Sequence, residues 1–352
     1  LMREDFFRAQ VELDSCPQER RGWEWHFLAG RIPIVFPGSE QPIFTRDGKR
    51  LIAIGAAGTT ERCLAFTWDL ESGKVVRTLK HQAPLACLAV STNEKQIAGG
   101  DRDGNIVVWD LESGTQLWCE KRHDGGQFLG LAFSPDGRLL ASTHSDRTLH
   151  VVDATDGEER YRHGPFKDRL RKVMFSPDGR WIASGSVSGE EPAMLINAAT
   201  GEIVARFPKE GQDRLPTFDS GGQRIATGNV DGSIKVWNWD GQKLVEVTSW
   251  PGAGRDIRSI AFNADGTRLV STSKFPSSAK VWNATTGEIL AAIDTRSLVY
   301  WTEFNNSGDT VALSSFALGI HMWRYRGHED GLKIKPLSGA AEATFSSDGR
   351  FI

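Results

Sequence analysis

One hexapeptide punctuates this chain. FSPDGR occurs at residues 133–138 and again at 175–180, with degenerate copies at 44–49 (FTRDGK), 90–95 (VSTNEK), 218–223 (FDSGGQ), 262–267 (FNADGT), 304–309 (FNNSGD) and 345–350 (FSSDGR). The leading residues Phe44, Val90, Phe133, Phe175, Phe218, Phe262, Phe304 and Phe345 are spaced 41 to 46 residues apart. A period near forty is the mark of repeat architecture. A unit of that size cannot bury its apolar faces alone, so the repeats must stack, and the 352 residues read as one closed assembly rather than two domains. Function is then expected on the loops.

Residues 85–120 show the content of one unit. LACLAVS is a near-continuous apolar run of the kind a doubly buried strand carries, and QIAGG, NIVVWD and TQLWCE follow it as second, third and fourth strands. Between first and second strands, Asp47-Gly48, Asp136-Gly137, Asp178-Gly179, Asp265-Gly266 and Asp348-Gly349 supply the positive φ of a tight hairpin. Gly73, Gly114, Gly157, Gly201, Gly241 and Gly287 do the same between third and fourth strands. Trp68, Trp109, Trp237, Trp282 and Trp323 stand near the third-strand ends, with Val152 and Ile196 at the same depth in two units, and they read as packing residues.

These Trp-Asp endings, hairpins and spacings resemble the WD-repeat β-propellers, over roughly residues 31–350. The resemblance implies an all-β propeller of four-stranded antiparallel blades, with seven blades favoured and eight possible. It also implies a hydrogen-bonded tetrad of His, Ser or Thr, Asp and Trp in each blade. In the second unit His81, Asp103 and Trp109 match, but Gly99 replaces the hydroxyl; in the third His123, Ser142 and Asp146 match, but Val152 replaces the Trp. In the fifth Thr227, Asp231 and Trp237 match and the His is missing. Packing must therefore carry more of the stability than the tetrads do.

Residues 1–30 stand outside the repeat and read as a short helical cap or linker, from Met2, Phe6, Ala9 and Leu13 at helical spacing. The domain reading is 1–30 cap, 31–330 seven-bladed propeller and 331–352 the start of a further, truncated repeat. A strand near Arg31 to Phe36 has no earlier blade, so it is expected to close the ring beside Ile320 to Trp323. The segment DSCPQERRGWEWHFLAGR resembles the region preceding the propeller in bacterial WD-repeat proteins, many of them fused to Ser/Thr protein kinases. That resemblance implies a larger bacterial signalling protein with any kinase domain upstream, since no kinase motif occurs in this chain.

A net charge of -3 and a pI near 6.3 give no overall basic field, which argues against nucleic acid as a partner. No apolar stretch has the length of a membrane span. Cys16, Cys63, Cys87 and Cys119 form no metal-like spacing and read as free thiols, favouring a reducing, cytoplasmic setting, or an extracytoplasmic one should the intact protein be a membrane kinase. Neither a metal site nor a cofactor or catalytic motif is expected from the spacing of the eight His residues or from the known motifs. The loops leading into first strands and the second-to-third turns carry a basic excess, with Arg147 and Phe275 among them. Arg102, Arg122, Phe166, Arg169, Trp250 and Arg255 are the candidate partner-binding rim. The sequence thus favours a monomeric, non-catalytic scaffold for an acidic protein or peptide. A structural spacer and a propeller enzyme of lactonase or quinoprotein type are the alternatives.

Overall fold

A computed structural model describes most residues between 35 and 325; residues 1–34 and 326–352, and short stretches such as 37–42, 56–62, 209–214 and 316–318, lie outside the description. Six blades are each four consecutive antiparallel strands, within residues 43–80, 85–121, 128–163, 170–206, 217–250 and 255–294. A further four-stranded sheet is composite: Val299–Phe304, Thr310–Ser315 and Gly319–Arg324 are completed on the outside by Val35–Phe36.

Two features of the sequence expectation are corrected here. Six blades, not seven, are contiguous in the chain, because the strand order is offset by one: the first described strand, Val35–Phe36, is the outermost strand of the last sheet. No helix occurs among the described residues, and the helical segment expected at 1–30 lies outside them. So do the strand copy at 345–350 and the truncated repeat expected at 331–352. The closing pairing itself is as anticipated, with Val35 opposite His321 and Phe36 opposite Ile320.

The core lies between blades. Each apolar cluster joins two neighbouring sheets, for example Leu85, Leu88 and Trp109 of the second blade with Ile52, Ile54 and Leu79 of the first. The circuit is completed where Ala312 of the composite sheet packs with Phe44, Leu51, Ala53 and Trp68 of the first blade. At the inner hairpins, the Ser134 hydroxyl donates to Asp136 (2.6 Å), whose carboxylate accepts the Arg138 N–H (3.0 Å), while Gly137 takes φ 73°. Ser176 and Asp178 repeat this arrangement, as do Thr45 and Asp47. The SPDG pattern is therefore a self-capped turn.

Third-to-fourth turn glycines have a second duty. The preceding blade's outer strand leans over several of these turns: a Cβ at Gly201 would lie 2.9 Å from the Tyr161 ring, and one at Gly287 2.6 Å from Trp250. Trp118 sits likewise over Gly157 and donates its indole N–H to Ala154 O (2.9 Å), and the Tyr161 hydroxyl donates to Ala198 O (3.0 Å).

Inside the channel, Lys172 of the fourth blade donates to Ile260 O of the sixth (3.2 Å) and lies 5.8 Å from the Trp301 ring of the composite sheet. Burial lowers the Lys172 amine and raises the Glu303 carboxyl, and each partly offsets the other's shift through their attraction. Lys172→Met removes the attraction that offsets the burial of Glu303, whose carboxyl is raised to about 8, and above that pH it should destabilise by about 1–3 kcal/mol in urea denaturation. Adding Glu303→Leu should restore most of that loss.

Gly99 shows why the second tetrad is incomplete. A Cβ there would meet Leu85 Cδ2 at 2.9 Å and the Trp109 ring at 3.0 Å, so the indole occupies the space of the missing hydroxyl. Gly99→Ser is expected to cost about 2 kcal/mol or more by overpacking; an unchanged denaturation midpoint would refute this account.

Candidate interaction face and histidine cluster

One end of every blade carries the loops into first strands and the second-to-third turns. In the second blade, for example, Leu85 faces Asp101 and Asn105 faces Lys121. At that end the Arg122 and His123 amides both donate to Gly104 O (3.0 and 3.1 Å), and the Gly126 amide donates to Arg102 O (3.0 Å). The loop after the second blade is thereby pinned to the turn that carries Arg102.

The candidate rim residues divide into two groups. Arg102, Arg169 and Arg255 are exposed. Trp250 is 8% exposed and packs with Ile257, Leu269 and Trp282, so it is a blade-to-blade staple rather than an anchor. Phe166 is half-buried against the cluster of Leu170 and Val173, and the Arg122 guanidinium is held by Gly157 O. The open aromatic is Phe275, 60% exposed at the end of an eight-residue strand, directly opposite Arg255 and with Lys274 Nζ 4.8 Å from its ring. The tip beyond it is stiffened by Ser273, whose hydroxyl donates to Pro276 O (2.7 Å).

The tetrad remnants form differing networks. In the third blade His123 Nδ1 bonds Asp146 Oδ2 (3.0 Å) and Nε2 bonds Ser142 Oγ (3.1 Å). In the fifth, the Trp237 indole donates to Thr227 Oγ1 (2.9 Å), whereas Asp231 caps its own turn by accepting from Ser233 (2.7 Å). In the second, His81 does not reach Asp103. Its Nε2 bonds Asp101 Oδ2 (2.8 Å), the buried carboxylate that also accepts from the Asp103 and Asn105 amides, and its ring meets Trp109 edge-on at 5.9 Å. The sequence register is two residues off because Asp101 ends its strand by turning inward.

The third blade adds two histidines that the tetrad pattern does not include. His144 stacks on His123 with centroids 4.4 Å apart, and His150 meets the same ring edge-on at 4.4 Å while bonding Glu159 (2.7 Å). They come from HSDRTLH, a hairpin that returns the chain so that residues 144, 146 and 150 face one ring. Burial, with His150 and His144 nearby, pushes the His123 imidazole down to about 3. Burial works against the Asp146 charge, but hydrogen bonds from Thr148 and the attraction of His123 bring its carboxyl down to about 2.

Both shifts act in the same direction on stability. A histidine held neutral contributes fully above its unfolded value near 6.5, and that contribution is lost as pH falls from there toward 3. The Asp146 contribution is lost later, between 3.8 and about 2. In chelator-containing buffer, stability should fall by roughly 1 kcal/mol per pH unit below about pH 6. His123→Gln should flatten that slope, as read by urea titrations across the range.

The WD domain, G-beta repeat family matches residues 73–110, 114–153, 161–190, 216–238 and 244–283. The chain is a WD-repeat β-propeller. It is similar to the telomerase protein component 1 of Rattus norvegicus, 25% identical over 90% of this chain but only 12% of that protein. It is also similar to the WD repeat-containing protein slp1 of Schizosaccharomyces pombe, 24% identical over 80% of this chain and 58% of the relative. The chain thus spans less than two thirds of either. Among solved structures, the Cps50 (Swd1) β-propeller domain of Myceliophteria thermophila shares the fold, with a TM-score of 0.70 at 17% identity, covering 83% of this chain and 97% of that domain. A chain of a Mitotic Checkpoint Complex gives a TM-score of 0.60 at 22% identity, over 69% of this chain and 76% of that chain. These relatives are eukaryotic, and none supports the bacterial, kinase-linked setting read from the N-terminal segment. Among the described residues, no helix is long and apolar enough to cross a membrane.

Proposed function

We propose that this propeller is a non-catalytic docking platform that takes an acidic protein or peptide segment on its loop rim, with Phe275 as the apolar anchor. The observation that carries this reading is the sixth blade's extended hairpin, which holds Phe275 60% exposed beside Arg255 and Lys274. A large aromatic held open by a stiffened tip and flanked by cations has the make-up of a binding hot spot. Arg102 and Arg169 continue the basic character on other blades. One solved relative comes from a multiprotein assembly, the Mitotic Checkpoint Complex, which agrees with a protein-docking role.

The test is a screen of an acidic, aromatic-containing peptide array on the immobilised protein, followed by titration of the peptides retained. Phe275→Ala should weaken them by about 2 kcal/mol, and Arg255→Glu should weaken them and reduce their salt dependence. Neither should move the thermal transition, because both side chains are exposed. Peptide retention that is indifferent to both changes would remove the rim from consideration.

A further inference from the structure

The channel has a second mouth, at the end of the molecule opposite the rim. A cavity of about 270 Å3 opens there among the first-to-second-strand hairpins, with Pro177, Ser220 and Ala264 at its edge. Its wall is apolar: Phe175, Phe218, Phe262 and Phe304 end four first strands around it, with Met174 beside them. Glu303 also lines it. The polar groups at the edge are engaged. Asp219 accepts from the Arg224 side chain (2.8 Å), and the Asn263 and Asn305 oxygens accept the Arg268 and Thr310 amides (2.8 and 3.1 Å). Glu303 differs, because among the described residues its carboxylate has neither a hydrogen bond nor an ion pair, and its oxygens are not sealed off. Lys172 attracts it only from a distance. That amine is held on Ile260 O and against the Trp301 ring, and Lys172 and Trp301 stand two residues before Met174 and Glu303 in their strands, one step deeper in the channel.

We propose that this mouth binds one alkylammonium group, with Glu303 as its counter-ion and Met174 and the four Phe side chains around its hydrocarbon stem. An apolar wall closing on a single acid fits an ion that carries its charge at one end and hydrocarbon along the rest. The one acid of the lining that is not already paired with a cation selects a cation. Burial raises the Glu303 carboxyl to about 8 against the attraction of Lys172, so near neutral pH the empty site holds a proton. Binding is then an exchange: the ammonium ion enters, the carboxylic acid becomes a carboxylate, and its proton leaves to solvent. The charged groups facing Glu303 are few. Lys172, lowered to about 8 by burial with Arg171 adding to the shift, comes from the fourth blade, and Asp219 with its partner Arg224 from the fifth. The sixth blade contributes Phe262, Asn263 and Ala264 to the lining, none of which titrates. Loss of the Lys172 proton removes a competing cation and acts in the same direction as ionisation of Glu303. The recognised chemistry is the same for a free amine and for the tip of a lysine side chain on a peptide.

The experiment is an NMR titration of the full chain, labelled with 13C at its methionine methyls, with n-butylamine and with a capped pentapeptide carrying lysine between glycines. A saturable shift of the Met174 methyl is expected, while Met194, buried among Leu149, Val151 and Leu170, stays unmoved. The Kd should fall by about tenfold per pH unit from about pH 6 toward 8 and level off above. Glu303→Gln imitates the protonated acid, so it should fold as the parent does, yet weaken both amines by at least about tenfold and abolish the pH dependence. Lys172→Met should tighten binding at neutral pH by several-fold. A shift with both probes supports a site open to a lysine on a partner; a shift with butylamine alone supports one restricted to free amines. Absence of a saturable Met174 shift with either probe at about 10 mM overturns the proposal. So does equal binding of the pentapeptide with norleucine in place of lysine, or a Kd in the parent that ignores pH. Phe275→Ala, at the opposite end of the channel, should bind the amines as the parent does, so failure here is distinguishable from failure of the rim reading.

Discussion

Everything in this molecule depends on the apolar contact between one blade and the next. A four-stranded sheet buries a face only against a neighbour, so an unclosed row of such sheets would leave two apolar faces in water. Closure solves this at one place, where Phe44, Leu51 and Trp68 of the first blade receive Ala312 of the composite sheet. The pairing of Val35–Phe36 with the strand Gly319–Arg324 ties the two ends of the described chain together there. Separation at this seam would break backbone hydrogen bonds as well as apolar contacts, so the offset strand order turns a weak point into a latch.

The same logic governs the turns. A hairpin glycine is usually explained by its own backbone, and Gly157, Gly201 and Gly287 do have φ of 77°, 76° and 71°. Yet each also lies under an aromatic ring of the preceding blade, and the indole of Trp118 and the hydroxyl of Tyr161 reach carbonyls across the gap. A side chain at such a glycine would strain its turn and at the same time push neighbouring blades away from each other. At these three positions the double constraint holds glycine in place, and it transfers some of the work of the incomplete tetrads to the outside of the ring.

The fold was legible because its signals are local and repeated: the SPDG hairpin specifies a self-capped turn, and eight copies fix the period. First strands fall where the apolar runs place them, as at Leu85–Val90 and Leu170–Phe175. Side-chain destinations were less legible, because they depend on the neighbouring blade. Trp250 reads as an exposed anchor in SWPGAGR and is instead laid against Gly287 and Trp282 of the next blade. Asp101 rather than Asp103 meets His81, since spacing alone does not say which of two acids turns inward. Lys172 and Glu303 lie more than a hundred residues apart in the chain, and only the ring's curvature brings their charges within reach of each other. The motif HSDRTLH carried a signal that could have been used, because a tight turn between His144 and His150 predicts that both return to one blade.

The histidine cluster shows how a missing tetrad member changes the chemistry of a blade. In the fifth and sixth blades an indole N–H satisfies the strand hydroxyl, through Trp237 to Thr227 and Trp282 to Ser271. Val152 in the third blade offers no such donor, and Ser142 instead depends on His123, around which His144 and His150 close. Burying His123 and His144 side by side favours their neutral forms, because a proton on one raises the cost of charging the other. The substitution that removes the tetrad's indole therefore leaves a buried, hydrogen-bonded histidine cluster on the same face as the exposed arginines, where local stiffness decides how rigidly the rim is presented.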